Sequence, residues 1–465
     1  MYLPISRRRF LAQSSKAALS ASLASSLLAA CGGSQAPTGG GSKIAGTVKY
    51  WIGLDDAKQR QYIKQHSIDA FMKAYPDVRI DLSFKPIDGV DRLIQIALPA
   101  GKGPDIVPTP GPSYALQYIT AKLLRDLDDY AAQYKWKDNF LGWALDSGRV
   151  NGKLYSLPGS YETMLIYYNK TLFTQKGWKP PTNRTELETL AEECMGQGIL
   201  PFIAGSADWR PATEWFVTVF LNHYAGPSAV YQALTGQIPW TNPVFVDAIA
   251  LMNSYFQKGW FGGGVKQYFT NKFDPLDSAF AKGKAAMDME GSWAFANWPT
   301  YFGPGISNTD YDWFPIPPLR DGVPSNLFAL GIGSTLSISS SSKVADAAAE
   351  YLNWYYTTPQ RMTSEMAAIN QEPLPIHIKA SDFPSNINIR LRDHYLAINE
   401  ATAKGIFGYT TWTFWPPKSD VITYDSMDKV LAGNMTPAQF CAELDATFKK
   451  EFQQGVVPPI PKGSI

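Results

Sequence analysis

Aromatic residues of this chain recur beside acidic or small residues, at predicted strand ends and in predicted loops. An aromatic ring presents a flat apolar face, and carboxylate or backbone groups beside it make strong hydrogen bonds. Together they suit a small solute that has an apolar face and a polar rim. On this basis we predict the following ligand contacts: Trp51, Asp55, Tyr161, Glu162, Asp208, Trp209, Gly291, Trp293, Trp412 and Trp415.

Trp293 has the most favourable local sequence among these residues. Gly291-Ser292-Trp293 stands where a predicted strand gives way to a helix, which predicts free backbone N–H donors next to an indole. Packing of Trp293 beneath that helix is the alternative. The other predicted contacts also have structural alternatives. Trp51 could pack in the core, and Asp208 could cap a helix. Tyr161 and Glu162 could lie in an exposed loop, and Trp412 and Trp415 could lie in a loop that packs on the core.

The composition excludes several classes of function. The 42 basic and 41 acidic residues give a net charge of +1 with no basic block in the interior of the chain, which disfavours nucleic-acid binding. Three Cys and four His without close ligand spacing predict no metal site, and no cofactor motif is present. The 14 Trp, 24 Tyr and 24 Phe are more than packing alone requires, so we expect some of them to contact a ligand.

The N-terminus carries export signals. Ser6 to Leu11 contains three consecutive arginines and resembles a twin-arginine signal, and Leu28-Ala29-Ala30-Cys31 resembles the bacterial lipobox. We therefore predict a signal peptide at 1–30, lipidation of Cys31 and a flexible Gly/Ser-rich tether at 31–44. Without residues 1–30 the net charge is −3. The predicted location is extracytoplasmic, on a membrane lipid anchor.

The folded part alternates predicted strands and helices. Strands are predicted at Thr47 to Ile52 and Val78 to Phe84, and helices at Ala57 to Tyr75, Asp91 to Leu98 and Lys170 to Lys176. This order predicts an α/β fold with a mostly parallel sheet, whose ligands bind at the carboxyl ends of the strands. Asn151-Gly152 predicts a hairpin turn, after which a second α/β unit begins.

Four stretches resemble family 1 extracellular solute-binding proteins of ABC importers, the group that includes maltose-binding and other sugar-binding lipoproteins. They are Gly103 to Ile106, Leu154 to Phe173, Lys284 to Trp293 and Val344 to Pro359. The resemblance implies a two-lobed periplasmic-binding-protein-like fold of type II, with a central ligand cleft and several interlobe crossovers. Lobe 1 would comprise 45–157 and 307–372, and lobe 2 would comprise 158–306 and 373–465.

The resemblance also implies the function. The protein would capture a sugar or oligosaccharide between the lobes, close around it and deliver it to an ABC permease, as a monomer without catalytic activity. A polyol phosphate or a polyamine is the alternative ligand. A polysaccharide-active enzyme is the alternative function. Such an enzyme needs two carboxylates on either side of the bond that it cleaves, and the spacing of the acidic residues in the sequence indicates no such pair. Cys194 and Cys441 could form a disulfide or remain buried thiols.

Overall fold

The computed structural model describes residues 44–87, 89–303 and 310–464. The predicted signal peptide, Cys31 and all but the last residue of the predicted tether lie outside the described residues. The predicted lobe boundary at 306–307 also lies outside them. No helix in the described ranges combines the length and the apolarity that a membrane span requires.

The strands form two main sheets and two short pairs. In chain order they are β1 (Gly46–Gly53), β2 (Val78–Lys85), β3 (Ile106–Thr109), β4 (Arg149–Val150), β5 (Lys153–Leu154), β6 (Ser156–Pro158), β7 (Met164–Asn169), β8 (Leu200–Ile203), β9 (Ala285–Gly291), β10 (Tyr311–Phe314), β11 (Phe328–Leu330), β12 (Thr335–Ile338) and β13 (Phe407–Tyr409).

Helices cover both main sheets. The α-helices are α1 (Ala57–Tyr62), α2 (Ala70–Ala74), α3 (Val90–Ala97), α4 (Pro112–Thr120), α5 (Asp128–Gln133), α6 (Trp136–Asn139), α7 (Gly142–Asp146), α8 (Lys170–Lys176), α9 (Arg184–Gly196), α10 (Thr213–Phe220), α11 (Pro227–Leu234), α12 (Pro243–Gln257), α13 (Val265–Tyr268), α14 (Phe273–Ala281), α15 (Trp298–Phe302), α16 (Ala345–Tyr356), α17 (Pro359–Ile369), α18 (Ile389–Ala403), α19 (Thr411–Phe414), α20 (Pro417–Leu431) and α21 (Pro437–Gln453).

The first sheet has the strand order β2-β1-β3-β12-β6. β1 runs parallel to β2 and β3, and β12 lies antiparallel between β3 and β6, so the predicted mostly parallel sheet is confirmed. The alternation in β1 explains its burial: Val48 and Tyr50 are buried, whereas Thr47 before them and Lys49 between them are exposed.

The second sheet has the order β10-β7-β9-β8, and only the β8–β9 pair is parallel. All six residues of β7 are buried, which fits a strand covered on both faces. β7 leads directly into α8, which matches its prediction residue for residue. The Asn169 side chain caps its start by accepting the Leu172 N–H at 2.8 Å, and Gly177 ends it in the left-handed conformation.

The chain passes between the two sheets more than once. It leaves the first sheet after β6, returns to it at β12, and leaves again after α16 and α17, of which α16 packs on β1 and β12. The segment 307–372 was predicted to belong to lobe 1. Its first strand, β10, instead pairs with β7 in the second sheet, because β10 precedes the return crossover. The lobe boundaries themselves stay a prediction.

The predicted hairpin turn is also observed. β4 and β5 pair antiparallel across Asn151 and Gly152, which have φ angles of 51° and 79°. A two-residue hairpin turn of this kind needs positive φ at both central positions, and Asn-Gly tolerates it best. β5 and β6 then carry the chain to the first crossover.

Candidate functional site

Trp51 and Asp55 lie at the carboxyl end of β1, as predicted. Trp51 packs against a small apolar cluster around α3 and α4, and Lys85 Nζ lies 4.9 Å from the centre of its ring. Asp55 is exposed, pairs with Arg60 at 3.1 Å and accepts the Ile87 N–H at 3.2 Å. These contacts are local to the first sheet, so packing is the role that the structure gives to Trp51.

Tyr161 and Trp415 are core residues in this structure, each with 0% of its surface exposed. The Tyr161 hydroxyl lies 2.9 Å from Thr402 Oγ1, and the Trp415 ring lies 5.2 Å from the ring of Trp240. In this conformation neither side chain reaches solvent. We therefore leave both out of the proposed site.

Asp208 is exposed and acts as a helix cap. Its carboxylate accepts the Phe273 N–H at 2.9 Å, at the first residue of α14. Helix capping was the alternative for Asp208. The helix that it caps is α14, which is distant in sequence, and not the helix that follows Asp208 directly. Trp209 beside it is half-buried.

Trp293 follows β9 directly and folds back over the end of that strand. A Cβ atom on Gly291 would lie only 2.1 Å from the Trp293 ring, so the ring requires glycine there. The indole N–H donates to Glu290 Oε1 at 2.8 Å. The expected free N–H donors are only partly present, because the Ser292 N–H donates to the Thr163 carbonyl at 2.9 Å.

Four rings form a continuous group, which we call the aromatic row: Phe273, Trp215, Trp293 and Trp412. Neighbouring ring centres lie 6.1, 5.0 and 5.9 Å apart in that order. Trp215 and Trp293 are half-buried and keep part of their faces accessible, whereas Trp412 is buried. The row joins α14, α10, the segment after β9 and α19, so it combines residues from four separate parts of the chain.

A narrow cavity lies beside the aromatic row, at the carboxyl ends of β8 and β9. The space that it offers to the centre of a water-sized sphere is only about 20 Å³, so it admits a single small polar group. Trp215 and Phe273 line it together with the carboxyl groups of Asp277, Asp288 and Glu290. We call this space the acidic cavity.

The carboxyl groups that line the acidic cavity have raised pKa values. Burial, reinforced by the carboxylates of Glu290 and Asp274, raises the pKa of Asp277 to about 8. Burial also raises the pKa of Asp288 well above its usual range, and the neighbouring Glu290 raises it further. Burial raises the pKa of Glu290, while hydrogen bonds with Asp288 and Trp293 oppose that shift. All three carboxyl groups therefore hold a proton more tightly than a carboxyl group in water does.

A second carboxyl pair, Glu162 and Glu372, lies where the chain crosses between the sheets. Glu162 is buried, accepts the Ser160 hydroxyl at 2.8 Å, and pairs through its backbone with Gly331. Glu372 accepts the hydroxyl of Ser292, next to Trp293. Burial raises the pKa of both carboxyl groups.

Glu214 and Asp420 form a third buried carboxyl pair. The Thr411 hydroxyl donates to Glu214 at 2.7 Å, and the Tyr114 hydroxyl lies 3.5 Å from its other oxygen. Burial raises the pKa of Glu214 to about 7, although hydrogen bonds from Thr411, Asp420 and Tyr114 oppose the shift. Burial and the charge of Glu214 raise the pKa of Asp420.

Of the predicted ligand contacts, the structure brings Glu162, Gly291, Trp293 and Trp412 together. Trp412 lies next to Glu162 and opposes the rise in the pKa of its carboxyl group. Three residues of the aromatic row and the acidic cavity were not among the predicted contacts: Trp215, Asp277 and Asp288. Glu214 stands in the apolar run Thr213 to Phe220, and an acid in such a run signals burial or function.

Two kinds of comparison place the chain among known proteins. The model of the bacterial extracellular solute-binding protein family matches residues 56–362. The galactooligosaccharide-binding protein of Bacillus subtilis is 26% identical over 323 residues, which cover 70% of this chain and 72% of that protein. The maltotriose-binding protein of Pyrococcus abyssi is 22% identical over 319 residues, which cover 68% of this chain and 64% of that protein.

Solved structures give the same result for the fold. A chitin oligosaccharide binding protein superposes with a TM-score of 0.73 at 21% identity, covering 87% of this chain and 98% of that chain. This likeness confirms the predicted two-lobed α/β fold of a periplasmic binding protein. Because the family model covers well over half of the chain, the chain belongs to the bacterial extracellular solute-binding proteins.

Proposed function

We propose that this protein binds a sugar or oligosaccharide along the aromatic row and delivers it to an ABC permease. The observation that carries the proposal is the aromatic row beside the acidic cavity, at the carboxyl ends of β8 and β9. The rings would cover the C–H face of a sugar, and the carboxyl groups would accept its hydroxyls. The relatives named for galactooligosaccharide and maltotriose support a saccharide as the ligand.

The available contacts suffice for useful affinity. Stacking on Trp215 and Trp293 contributes about 0.5–1.5 kcal/mol for each ring beyond burial. Two hydrogen bonds to charged groups contribute about 1.5–3 kcal/mol each. The total of about 4–9 kcal/mol is comparable with the roughly 8 kcal/mol of micromolar binding, before the costs of ordering are subtracted.

Transport would depend on closure of the two lobes around the ligand. A ligand that contacts both lobes favours the closed form by the free energy that the open form cannot supply. The Glu162 and Glu372 pair is well placed to act in this motion, since both residues lie in crossover segments. The permease would then recognise the closed form, and the binding protein itself would carry out no catalysis.

The proposed location is the outer face of a membrane. The arginine-rich start and the Leu-Ala-Ala-Cys sequence support export and lipidation at Cys31. The tether would leave the folded part free to meet the permease as a monomer. Mass spectrometry of the membrane-derived protein tests this step, because a diacylglycerol-modified Cys31 at the N-terminus is the expected species.

Calorimetric titration with a panel of neutral oligosaccharides tests the binding function. We expect at least one to bind, and Trp293→Ala to weaken it about tenfold or more, which corresponds to about 1.4 kcal/mol. Trp178→Ala is the matched control, because Trp178 is also half-buried but follows α8, at the opposite end of β7 from Gly291. Absence of binding throughout the panel, or equal losses in both variants, would contradict the proposal.

The alternative ligands and the alternative enzymatic function can be tested with the same purified protein. A polyol phosphate is disfavoured, because its charge has the sign of the acidic cavity. A polyamine is compatible with these carboxyl groups and belongs in the titration panel. New reducing ends after incubation with polysaccharides would indicate an enzyme instead.

A further inference from the structure

The acidic cavity combines three carboxyl groups without a basic partner. Asp288 and Glu290 project from the same face of β9, because they are two residues apart on a strand, and Asp277 reaches the cavity from α14. Among the described residues, no Arg, Lys or His side chain forms an ion pair with any of the three. Buried acids are normally paired with a cation or hydrogen-bonded.

Asp288 provides the most specific evidence for a missing partner. Its side chain is 4% exposed and lines the cavity beside Glu290, to which its carboxyl group is hydrogen-bonded. Its Oδ2 atom has no other hydrogen-bond partner within the described part of the chain. The Trp293 N–H occupies one oxygen of Glu290. Each ionised carboxylate accepts about four hydrogen bonds, so the cavity has many free acceptors and few donors.

Two aromatic residues also line the cavity. Trp215 and Phe273 lie nearly parallel, at 23° and with ring centres 6.1 Å apart. An aromatic ring attracts a cation where its face is open to that cation. A metal ion fits less well, since no group of three acidic, His or Cys side chains in the described ranges is arranged to hold one.

We propose that the acidic cavity holds the ammonium group of an amino-bearing saccharide, such as an oligomer of glucosamine. This inference rests on the proposed function, because it takes the ligand of the aromatic row to be a saccharide. An ammonium group brings three N–H donors and a positive charge, which match the free acceptors and the negative charges of Asp277, Asp288 and Glu290. A neutral hydroxyl brings one donor and no charge.

Entry of the ammonium group has a second measurable consequence. A nearby positive charge favours ionised carboxyl groups and lowers their raised pKa values, so protons leave the cavity as the amine enters. A neutral sugar would not drive this release. Calorimetry in buffers of different ionisation enthalpy measures the number of protons released.

The test compares glucosamine oligomers with N-acetylglucosamine oligomers of the same length at pH 6. The two series share their sugar ring and linkage and differ at the nitrogen, in charge and in the added acetyl group. Glucose oligomers of the same linkage, which carry a neutral hydroxyl in place of the amine, separate the effect of charge from that of size. We expect the amine series to bind about tenfold tighter or more, and to release protons. Equal or tighter binding of the acetylated series would overturn the inference.

Asp288→Asn removes the central charge with little change of shape. We expect this variant to bind the two series with similar affinity, and an unchanged near-ultraviolet circular dichroism spectrum shows that the site is folded. Asp247→Asn is the matched control, since Asp247 is an exposed acid on α12 and does not line the cavity. A preference that survives Asp288→Asn would overturn the inference.

The outcomes separate this inference from the function on which it rests. If the acetylated series binds and the amine series shows no preference, the inference fails and the saccharide-binding function stands. If neither series nor any neutral oligosaccharide binds, the proposed function itself fails. Binding of calcium alone that is lost in Asp288→Asn would replace the ammonium group by a metal ion and overturn the inference.

Discussion

The substitution Gly291→Ala tests how Trp293 is held in place. Gly291 has φ −79° and ψ 169°, an extended conformation that alanine adopts without strain. The added methyl group is the only perturbation, and it would lie 2.1–2.3 Å from three atoms of the Trp293 ring. Because the conflict is with the ring and not with the backbone, the ring must move.

The expected magnitude follows from the contacts of Trp293. Displacement of its ring breaks two aromatic contacts, with Trp215 and Trp412, each worth about 0.5–1.5 kcal/mol. It also breaks the hydrogen bond to Glu290, worth about 1.5–3 kcal/mol for a charged acceptor. Allowing for partial relaxation, we expect the free energy of unfolding to fall by about 2–4 kcal/mol, and saccharide affinity to fall as in Trp293→Ala.

Urea unfolding, near-ultraviolet circular dichroism and calorimetric titration measure these effects together. Gly196→Ala is the matched control, because Gly196 is the last residue of α9 and a Cβ there meets no atom within 4 Å. The control should change stability by about 1 kcal/mol or less, in the stabilising direction. Equal unfolding midpoints for the two variants, with unchanged tryptophan dichroism and affinity in Gly291→Ala, would refute this account of the site.

Three further predictions concern groups around the site. The folded protein binds a proton at Glu214 more tightly than the unfolded chain does, so the free energy of unfolding should fall by about 3 kcal/mol as pH rises from about 4.5 to above 7. Glu214→Gln should remove this part of the pH dependence in urea unfolding. Identical pH profiles of the variant and the wild type would contradict the prediction. Asp208→Ala should cost about 1 kcal/mol, through the lost cap on Phe273, while calorimetric saccharide affinity stays unchanged; a tenfold weaker affinity would restore Asp208 as a ligand contact. Cys194 and Cys441 are free and buried, and burial raises the pKa of each thiol to about 12. Alkylation, mapped by mass spectrometry, should therefore modify them only after unfolding. Labelling of either thiol in the native protein would be inconsistent with the structure.

Local sequence signals predicted the elements well. β1 agrees with its β-branched and aromatic composition, and β2 agrees with its alternating pattern. α8 and the hairpin at Asn151-Gly152 agree because an Asn cap, a terminal glycine and an Asn-Gly turn act within a few residues. The π-helical segment Ile63–Asp69 lies inside one predicted helix and leaves its overall extent nearly unchanged. These features depend on neighbours along the chain, which the sequence displays directly.

The candidate site was predicted only in part. Trp293 and Glu162 were chosen because each follows a predicted strand or crossover. Their partners, Trp215 and Glu372, carry no comparable local signal. Sequence spacing also gave no pairing among the acidic residues, whereas the fold pairs Glu162 with Glu372 and encloses Asp288 beside Glu290.

The sequence by itself determined the types of the elements, the α/β class and the supply of rings and carboxyl groups, since hydrophobic period, caps and turns act over short distances. Only the tertiary structure decided which of those groups meet. α10, the α14–β9 stretch and α19 lie far apart in sequence, and the folded chain brings their side chains together. The same burial that assembles the carboxyl groups withholds water from them, and this raises their pKa values and leaves a place for a positive charge.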